Sequence, residues 1–490
     1  MNFSEVVAGT RQTISSDNNI DEGESKNDGL QRCVIVGASH AGVNCAFALR
    51  KQGFEGSIVV IDTDEYLPYH RPPLSKAYLD TPVDEPPLKI KSENAYAKAN
   101  ITLMLGFKVM DVNVHNKLLD MHLVEDPTTK RSLTYTYLVL ATGASPVIPP
   151  IKGLNIKIQD VRKKPSTNIL VMRNADDAIA LKLLINNTHK TKQEFHALVL
   201  GAGYIGLETA ASLRKIGAEV TVIERARRPL ARVASEEVSK FISALHSNRG
   251  VNLICNDSVI ELSQNSNTKG GSASYQVLCK SGAKYNVDCL IVGVGVIVHT
   301  DLAQHAALQL DEGYIRVDGR MKTSNSNIWA IGDCTVFEHH EYGDSTHIES
   351  VQNAVDQAKI AAESIASSAK EYSQTADVEL PSSTLEQFNI DASRSTPSRY
   401  NATPWFWSDQ FDSKLQIAGL IKNTDNQITR FDSDRECSIW HFEGDVLRCV
   451  EAINSPKAYV LGSKWIAEKI NIDKAQLADT SVSLISLNAP

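Results

Sequence analysis

The sequence predicts an α/β fold: two Rossmann-like nucleotide-binding domains on parallel sheets, followed by a small α+β C-terminal domain. Three observations carry this reading. From Cys33 onward, short apolar runs alternate with helical patterns, the signature of βα units on a parallel sheet. A glycine-rich strand–turn–helix fingerprint occurs twice, around Gly37 and around Gly201. From about Pro404 to Glu468, aromatic and alternating segments give way to a helical pattern.

At 490 residues, the chain has room for roughly two to four domains. It is 42% hydrophobic and 22% charged, a composition that buries sizeable cores. The net charge of −8 (50 basic against 58 acidic residues) argues against a nucleic-acid or anionic-membrane protein, which needs a basic face. The longest apolar run, Cys289 to Val298, falls short of the ~20 residues that span a bilayer. No two of the eight cysteines lie closer than ten positions, so CxxC, zinc-knuckle and iron–sulfur spacings are absent. They read as reduced core residues of a cytoplasmic protein, with no metal site.

In chain order, residues 1–31 hold six acids, two bases and no apolar core, and read as a disordered tail rather than a secretory signal. Residues 32–145 and 288–368 are expected to form the first nucleotide domain, and 146–287 the second. The polar stretch 369–400 reads as a linker or insert, and 401–480 as the C-terminal domain.

The first fingerprint is CVIVGASHAGVNCAFALRKQG. Gly37 suits the tight turn and Gly42 close helix–strand packing, with Ser39, His40 and Ala41 between them. The helix start then offers free N–H groups to a pyrophosphate. Ser39 replaces the usual middle glycine and limits how closely backbone and phosphate approach. Asp62, twenty residues beyond Gly42, is placed to hold ribose hydroxyls, with Asp64 as the alternative. The second fingerprint is intact: Gly201, Gly203 and Gly206, with Tyr204 and Ile205 opening the helix. Glu224 follows eighteen residues after Gly206, and a carboxylate there favours NADH over NADPH. Arg225, Arg227 and Arg228 follow at once and offer charge to a 2′-phosphate. Two fingerprints imply two dinucleotides, a bound flavin and a passing nicotinamide. Gly37-x-Ser39-x-Ala41 approaches the hydrolase nucleophile elbow but lacks its second glycine.

At these motifs the chain resembles the FAD-dependent, NADH-linked ferredoxin reductases of bacterial oxygenase systems, which share the glutathione-reductase superfold. The resemblance covers about residues 32–475. It also rests on YHRPPLSKAYL (69–79), YLVLATGASP (137–146), VGVGVIVHTDLA (292–303), NIWAIGDC (327–334), HIESVQNAVDQAK (347–359) and TPWFWSDQFDSKLQIAGL (403–420). It implies that Arg71 and Lys76 contact the flavin, and that Lys76 pairs with Glu208. It implies that Asp333 bonds the ribityl chain beside Gly332, that Thr142, Gly143 and Gly295 lie at the cofactor, and that Val109 meets the adenine with its backbone. Trp407 is then expected to line the flavin face, and Glu349 the nicotinamide end. Lys76, Glu208 and Trp407 are the implied catalytic residues. Three departures stand out: Ser39 for glycine, Val147 for an arginine, and Val351 for a tryptophan.

The disulfide reductases of the same superfold carry a CxxxxC pair after the first helix, whereas Cys45 here has no such partner in sequence. Electrons are therefore expected to pass from NADH through FAD to an external acceptor. The resemblance implies a 2Fe–2S ferredoxin feeding a ring-hydroxylating dioxygenase or haem monooxygenase. Ferredoxins are usually acidic, so a local basic patch is expected, with Arg225, Arg227 and Arg228 as candidates. Two alternatives stand beside it: a reductase of a small acceptor (quinone, radical or oxygen), and a redox-sensing interaction protein like apoptosis-inducing factor. The resemblance allows a monomer or a homodimer.

Overall fold

The fingerprint strand sits at the centre of each of two five-stranded parallel sheets. The computed structural model describes residues 31–154, 168–190, 194–265, 274–376 and 398–488. The expected tail, Gln31 apart, and 377–397 of the expected insert lie outside the described residues. The first sheet runs in the order Ile328–Ala330, Tyr137–Leu140, Arg32–Val36, Ser57–Asp62, Ile101–Leu105. The second runs Ile169–Val171, Cys289–Val292, His196–Leu200, Glu219–Ile223, Val251–Ile254. Four of the five strands match in order; the edge strand differs, since Ile328–Ala330 comes last along the chain in the first sheet and Ile169–Val171 comes first in the second. Each half also carries a three-stranded antiparallel meander, at Phe107–Thr134 and Val259–Val287. The central strands read as continuous apolar runs because both their faces are buried.

One strand departs from the expected boundaries. Cys289–Val292 was expected in the first domain but pairs with His196–Leu200 in the second sheet. A short apolar run does not reveal which of two similar sheets it joins. The chain crosses back just afterwards, where Val296–Val298 pairs antiparallel with Ala144–Pro146. The helix Val351–Ala376 then packs along the first fingerprint helix and continues into the stretch read as an insert.

The C-terminal unit is a five-stranded antiparallel sheet in the order Trp405–Gln410, Ser413–Gly419, Val446–Ile453, Glu436–Glu443, Asn426–Ser433. One face carries the helix Pro456–Glu468, where Trp440 and Trp465 meet at 5.3 Å. Gly462 permits this approach, since a Cβ there would lie 2.3 Å from Val450 Cγ1. The other face, with Leu415, Ile417 and Ile439, joins the core of the second nucleotide half around Leu207 and Val238.

An ionic strap ties this unit to the first half. Glu341, on a hairpin of the first half, takes Arg448 at 2.7 Å and Lys469 at 2.7 Å. Burial acts to raise the Glu341 carboxyl, but bonds from Lys469, His340 and Arg448 outweigh it and hold it at about 2, below the ordinary 4.5. A carboxyl depressed on folding stabilises above its unfolded pKa, and that stability is lost as pH falls through the folded value. Glu341→Gln is therefore expected to lower stability at pH 7 by about 1 kcal/mol, allowing for solvent screening. In denaturant titrations at several pH values, the difference from wild type should vanish as the pH approaches 2.

Candidate nucleotide and redox site

Both fingerprint turns are built the same way. Gly37 and Gly201 hold φ at +111° and +101°, and a Cβ on either would lie within 2.4 Å of a carbonyl oxygen of the neighbouring crossover. Gly42 and Gly206 let each helix lie against its own turn, with Cβ clearances of 1.8 and 2.2 Å. The carboxylate ending the next strand then clamps the turn. Asp62 accepts from the N–H groups of Ala38 and Asp64. Glu224 accepts from Ala202 and Ala226, both at 2.7 Å. A carboxylate has about four acceptor sites, so each keeps capacity for ribose hydroxyls. Asp64 lines the same cleft as Asp62, with Ser39, Tyr69 and Arg71.

The middle position explains Ser39. It has the same extended backbone as Gly203, and a Cβ on Gly203 would meet nothing within 4 Å. Serine therefore fits without strain, and its Oγ accepts from Arg71 Nε at 3.2 Å. Neither Ser39 nor Gly203 caps its helix through a side chain, so both helix starts keep N–H groups for an anion.

A second arginine stands beside Arg71. Arg71 Nη1 donates to the Arg173 carbonyl at 3.2 Å. Burial, then the nearby Arg71 charge, push the Arg173 guanidinium down to about 10. Its Nε is buried without a partner among the described residues. Asp333 and Glu349 supply the opposing charge. Burial raises Asp333 against the pull of Arg173. Glu349 is lowered, first by its bond to His347 at 3.1 Å and then against burial. A Cβ on Gly143, whose φ is +61°, would lie 3.5 Å from Arg173 Nη2, and Gly332 sits against Ala41 of the first turn. Thr142 is tied to the crossover through the His299 carbonyl at 2.8 Å. Gly295, on the crossover, faces Arg232.

Lys76 and Glu208 form an ion pair of 2.7 Å between the two halves, with side chains 16% and 4% exposed. Ser75 and Ser408 donate to the two oxygens of Glu208, at 2.8 and 2.6 Å. Burial raises the Glu208 carboxyl despite Lys76 and these donors.

The structure thus gathers Ser39, Asp62 and Arg71 around one cleft, sets Asp333 and Glu349 opposite the charge of Arg173, and pairs Lys76 with Glu208. Three more of the expected residues have the following surroundings. Val109 lies buried in the first meander at a bulge. Trp407 meets Trp405 at 5.3 Å, on the face of its strand opposite Ser408. His40, buried, lies 3.1 Å from His70 Nδ1, and burial takes it down to about 4. Arg228, a candidate for the basic patch, is instead tied to the carbonyls of Ala231, Ala234 and Ser235. Arg225 and Arg227 are exposed.

Arg173 was missed by the sequence reading. Its signal was local: it follows the short apolar strand Ile169–Val171 and precedes a reciprocal cap between Asn174 and Asp177. Ligands of open parallel sheets collect at such strand ends.

The pyridine nucleotide-disulphide oxidoreductase profile matches residues 31–358, and a reductase C-terminal profile matches 405–488. The chain belongs to the pyridine nucleotide-disulphide oxidoreductase family. Rhodocoxin reductase of Rhodococcus erythropolis is 33% identical, covering 92% of this chain and 93% of the relative. Putidaredoxin reductase of Pseudomonas putida is 32% identical, covering 92% and 95%. The solved covalent putidaredoxin reductase–putidaredoxin complex superimposes with a TM-score of 0.78 at 30% identity, covering 93% of this chain and 98% of that one. The family binds FAD and NAD(P), and the residues present fit two such ligands. Both helix starts are open, and a half-buried arginine pair with an orphaned Nε on Arg173 suits an anion. Among the described residues, no helix is long and apolar enough to cross a membrane.

Arg173→Ala should remove a costly desolvated charge from the apoprotein and, with it, the cation that faces the first nucleotide turn. We expect an unchanged or higher apoprotein melting temperature, with FAD binding at least about tenfold weaker by fluorescence titration.

Proposed function

We propose that this chain carries electrons from NADH through FAD to a 2Fe–2S ferredoxin of an oxygenase system. The observation that carries this reading is the buried Lys76–Glu208 pair, held where the two nucleotide halves meet. Bound FAD supplies the chemistry, accepting two electrons as hydride and releasing them singly. The first half is assigned to FAD and the second to NADH. Arg71 and Arg173 hold the FAD pyrophosphate, Asp62 its ribose, and Asp333 its ribityl chain. Lys76 presents a positive charge toward the isoalloxazine, balanced by Glu208. Glu349 is assigned to the nicotinamide end, and Trp407 to closing that end with Trp405. Glu224 accepts from the NADH ribose and repels a 2′-phosphate.

An internal thiol exit has no support. All eight cysteines are free, and burial pushes the Cys45 thiol up to about 12. A thiol held protonated is a poor nucleophile for disulfide exchange. The acceptor then lies outside the chain, and the names of the relatives favour a ferredoxin.

Anaerobic stopped-flow mixing tests the donor. NADH should bleach the flavin absorbance at least tenfold faster than NADPH, and Glu224→Ala should narrow that ratio. Cytochrome c reduction tests the acceptor, and should require added ferredoxin. Equal rates without ferredoxin would favour a small-molecule acceptor. Negligible rates with a long-lived NADH–flavin absorbance would favour a redox-sensing interaction protein.

A further inference from the structure

A buried hydrogen-bond chain leads away from Lys76 and Glu208 and ends on a histidine that hydride transfer does not use. Ser408 Oγ donates to Glu208 Oε1 at 2.6 Å. Gln410 Nε2 donates to Ser408 Oγ at 3.1 Å. His246 Nε2 lies 2.8 Å from Gln410 Oε1. Glu208, Ser408, Gln410 and His246 are 3%, 0%, 1% and 0% exposed, so water does not compete for these bonds. Three parts of the fold contribute. Glu208 and His246 come from two helices of the second half, and Ser408 and Gln410 from the edge strand of the C-terminal sheet.

The chain has one consistent direction. An ionised carboxylate only accepts, so Ser408 must donate to it. Ser408 then has lone pairs left, which take the Gln410 amide N–H. That turns the Gln410 carbonyl toward His246, whose Nε2 must carry the proton. The ring's other nitrogen, Nδ1, is buried without a partner among the described residues. Burial lowers the pKa of His246, which keeps the ring neutral, as this tautomer requires. Were the Gln410 amide reversed, its oxygen would face Ser408 and draw the hydroxyl proton off Glu208.

Resting on the flavin reading above, we propose that Ser408, Gln410 and His246 are positioning residues. Together they lock the Ser408 proton onto Glu208 and so keep that carboxylate ionised against Lys76. The C-terminal sheet thereby reaches the redox centre through hydrogen bonds, as well as by shape. The charged and titratable groups around Glu208 are Lys76, Tyr204 on its own helix, and His246 at the end of the chain. Glu451 and Cys449 lie beyond Tyr204. Ser75 is the remaining direct donor.

The test is the pH dependence of the flavin midpoint potential in the FAD-loaded protein. Ser408→Ala removes one donor from the carboxylate, which raises its proton affinity. The acid-side break assigned to Glu208 should move up by about one pH unit, a tenfold change in proton affinity. Ser408→Thr should restore it, and Glu208→Gln should abolish it. Gln410→Leu and His246→Phe should shift it the same way by less. In a Ser408→Ala background, His246→Phe should add nothing, because the chain is already cut. An unmoved break in both single variants, or independent shifts in the double variant, would overturn the proposal. If Ser408→Ala fails to fold, Gln410→Leu and His246→Phe decide by the same criterion. Nitrogen NMR of the imidazole, assigned against His246→Gln, gives a reading on the protein alone. A neutral ring protonated at Nε2 is expected, and an Nδ1–H ring would break the chain. If the wild-type protein binds no flavin, the function reading fails. A bound flavin with an insensitive break sinks this inference alone.

Discussion

Burial of a single ion pair organises the molecule. Lys76 comes from the first nucleotide half and Glu208 from the second, and they meet where neither is well solvated. Removing one partner of such a pair leaves a buried charge, a loss of about 3–5 kcal/mol. The contact therefore keeps the two halves in one relative placement. Its surroundings serve the same end. Ser75 and Ser408 occupy the carboxylate oxygens, and the C-terminal sheet covers the flank on which Ser408 stands.

Around that junction, one architectural unit is used twice. The two sheets share the order of four of their five strands, and each puts a glycine turn under a carboxylate clamp. The differences between the copies lie in the side chains above the turns. The first copy has Ser39, Arg71 and Arg173, the charged setting that the proposed function gives to the FAD pyrophosphate. The second has Gly203 and open space above it, the site that the proposed function gives to NADH.

The sequence was most legible where backbone geometry allows few residues. Gly37, Gly42, Gly201 and Gly206 are fixed by contacts that exclude any Cβ, so their spacing announced both halves. The Lys76–Glu208 pairing was legible only through family resemblance, because 132 positions separate the two residues. Two kinds of information were out of reach. The strand Cys289–Val292 has no feature that selects one parallel sheet over its twin. Arg173 looked like any arginine in a loop, since its importance comes from Arg71 and Asp333, both far away in sequence. The line from Glu208 to His246 was invisible for the same reason: its members come from two helices and a strand.

The arginine pair has a consequence for the life of the protein in a cell. Arg173 keeps its charge against burial and the neighbouring Arg71, a cost that Asp333 and Glu349 offset only in part, so a bound anion favours the filled chain over the empty one. A ligand at a thousand times its Kd deepens the folded state by about 4 kcal/mol, a large fraction of a typical domain's margin. Newly made chains would then compete for flavin before they become durable, and those that lose would open more often to proteases. The abundance of this reductase would follow the supply of its vitamin-derived cofactor, with no dedicated regulator, because the two charges proposed to hold the phosphates would also time the chain's survival.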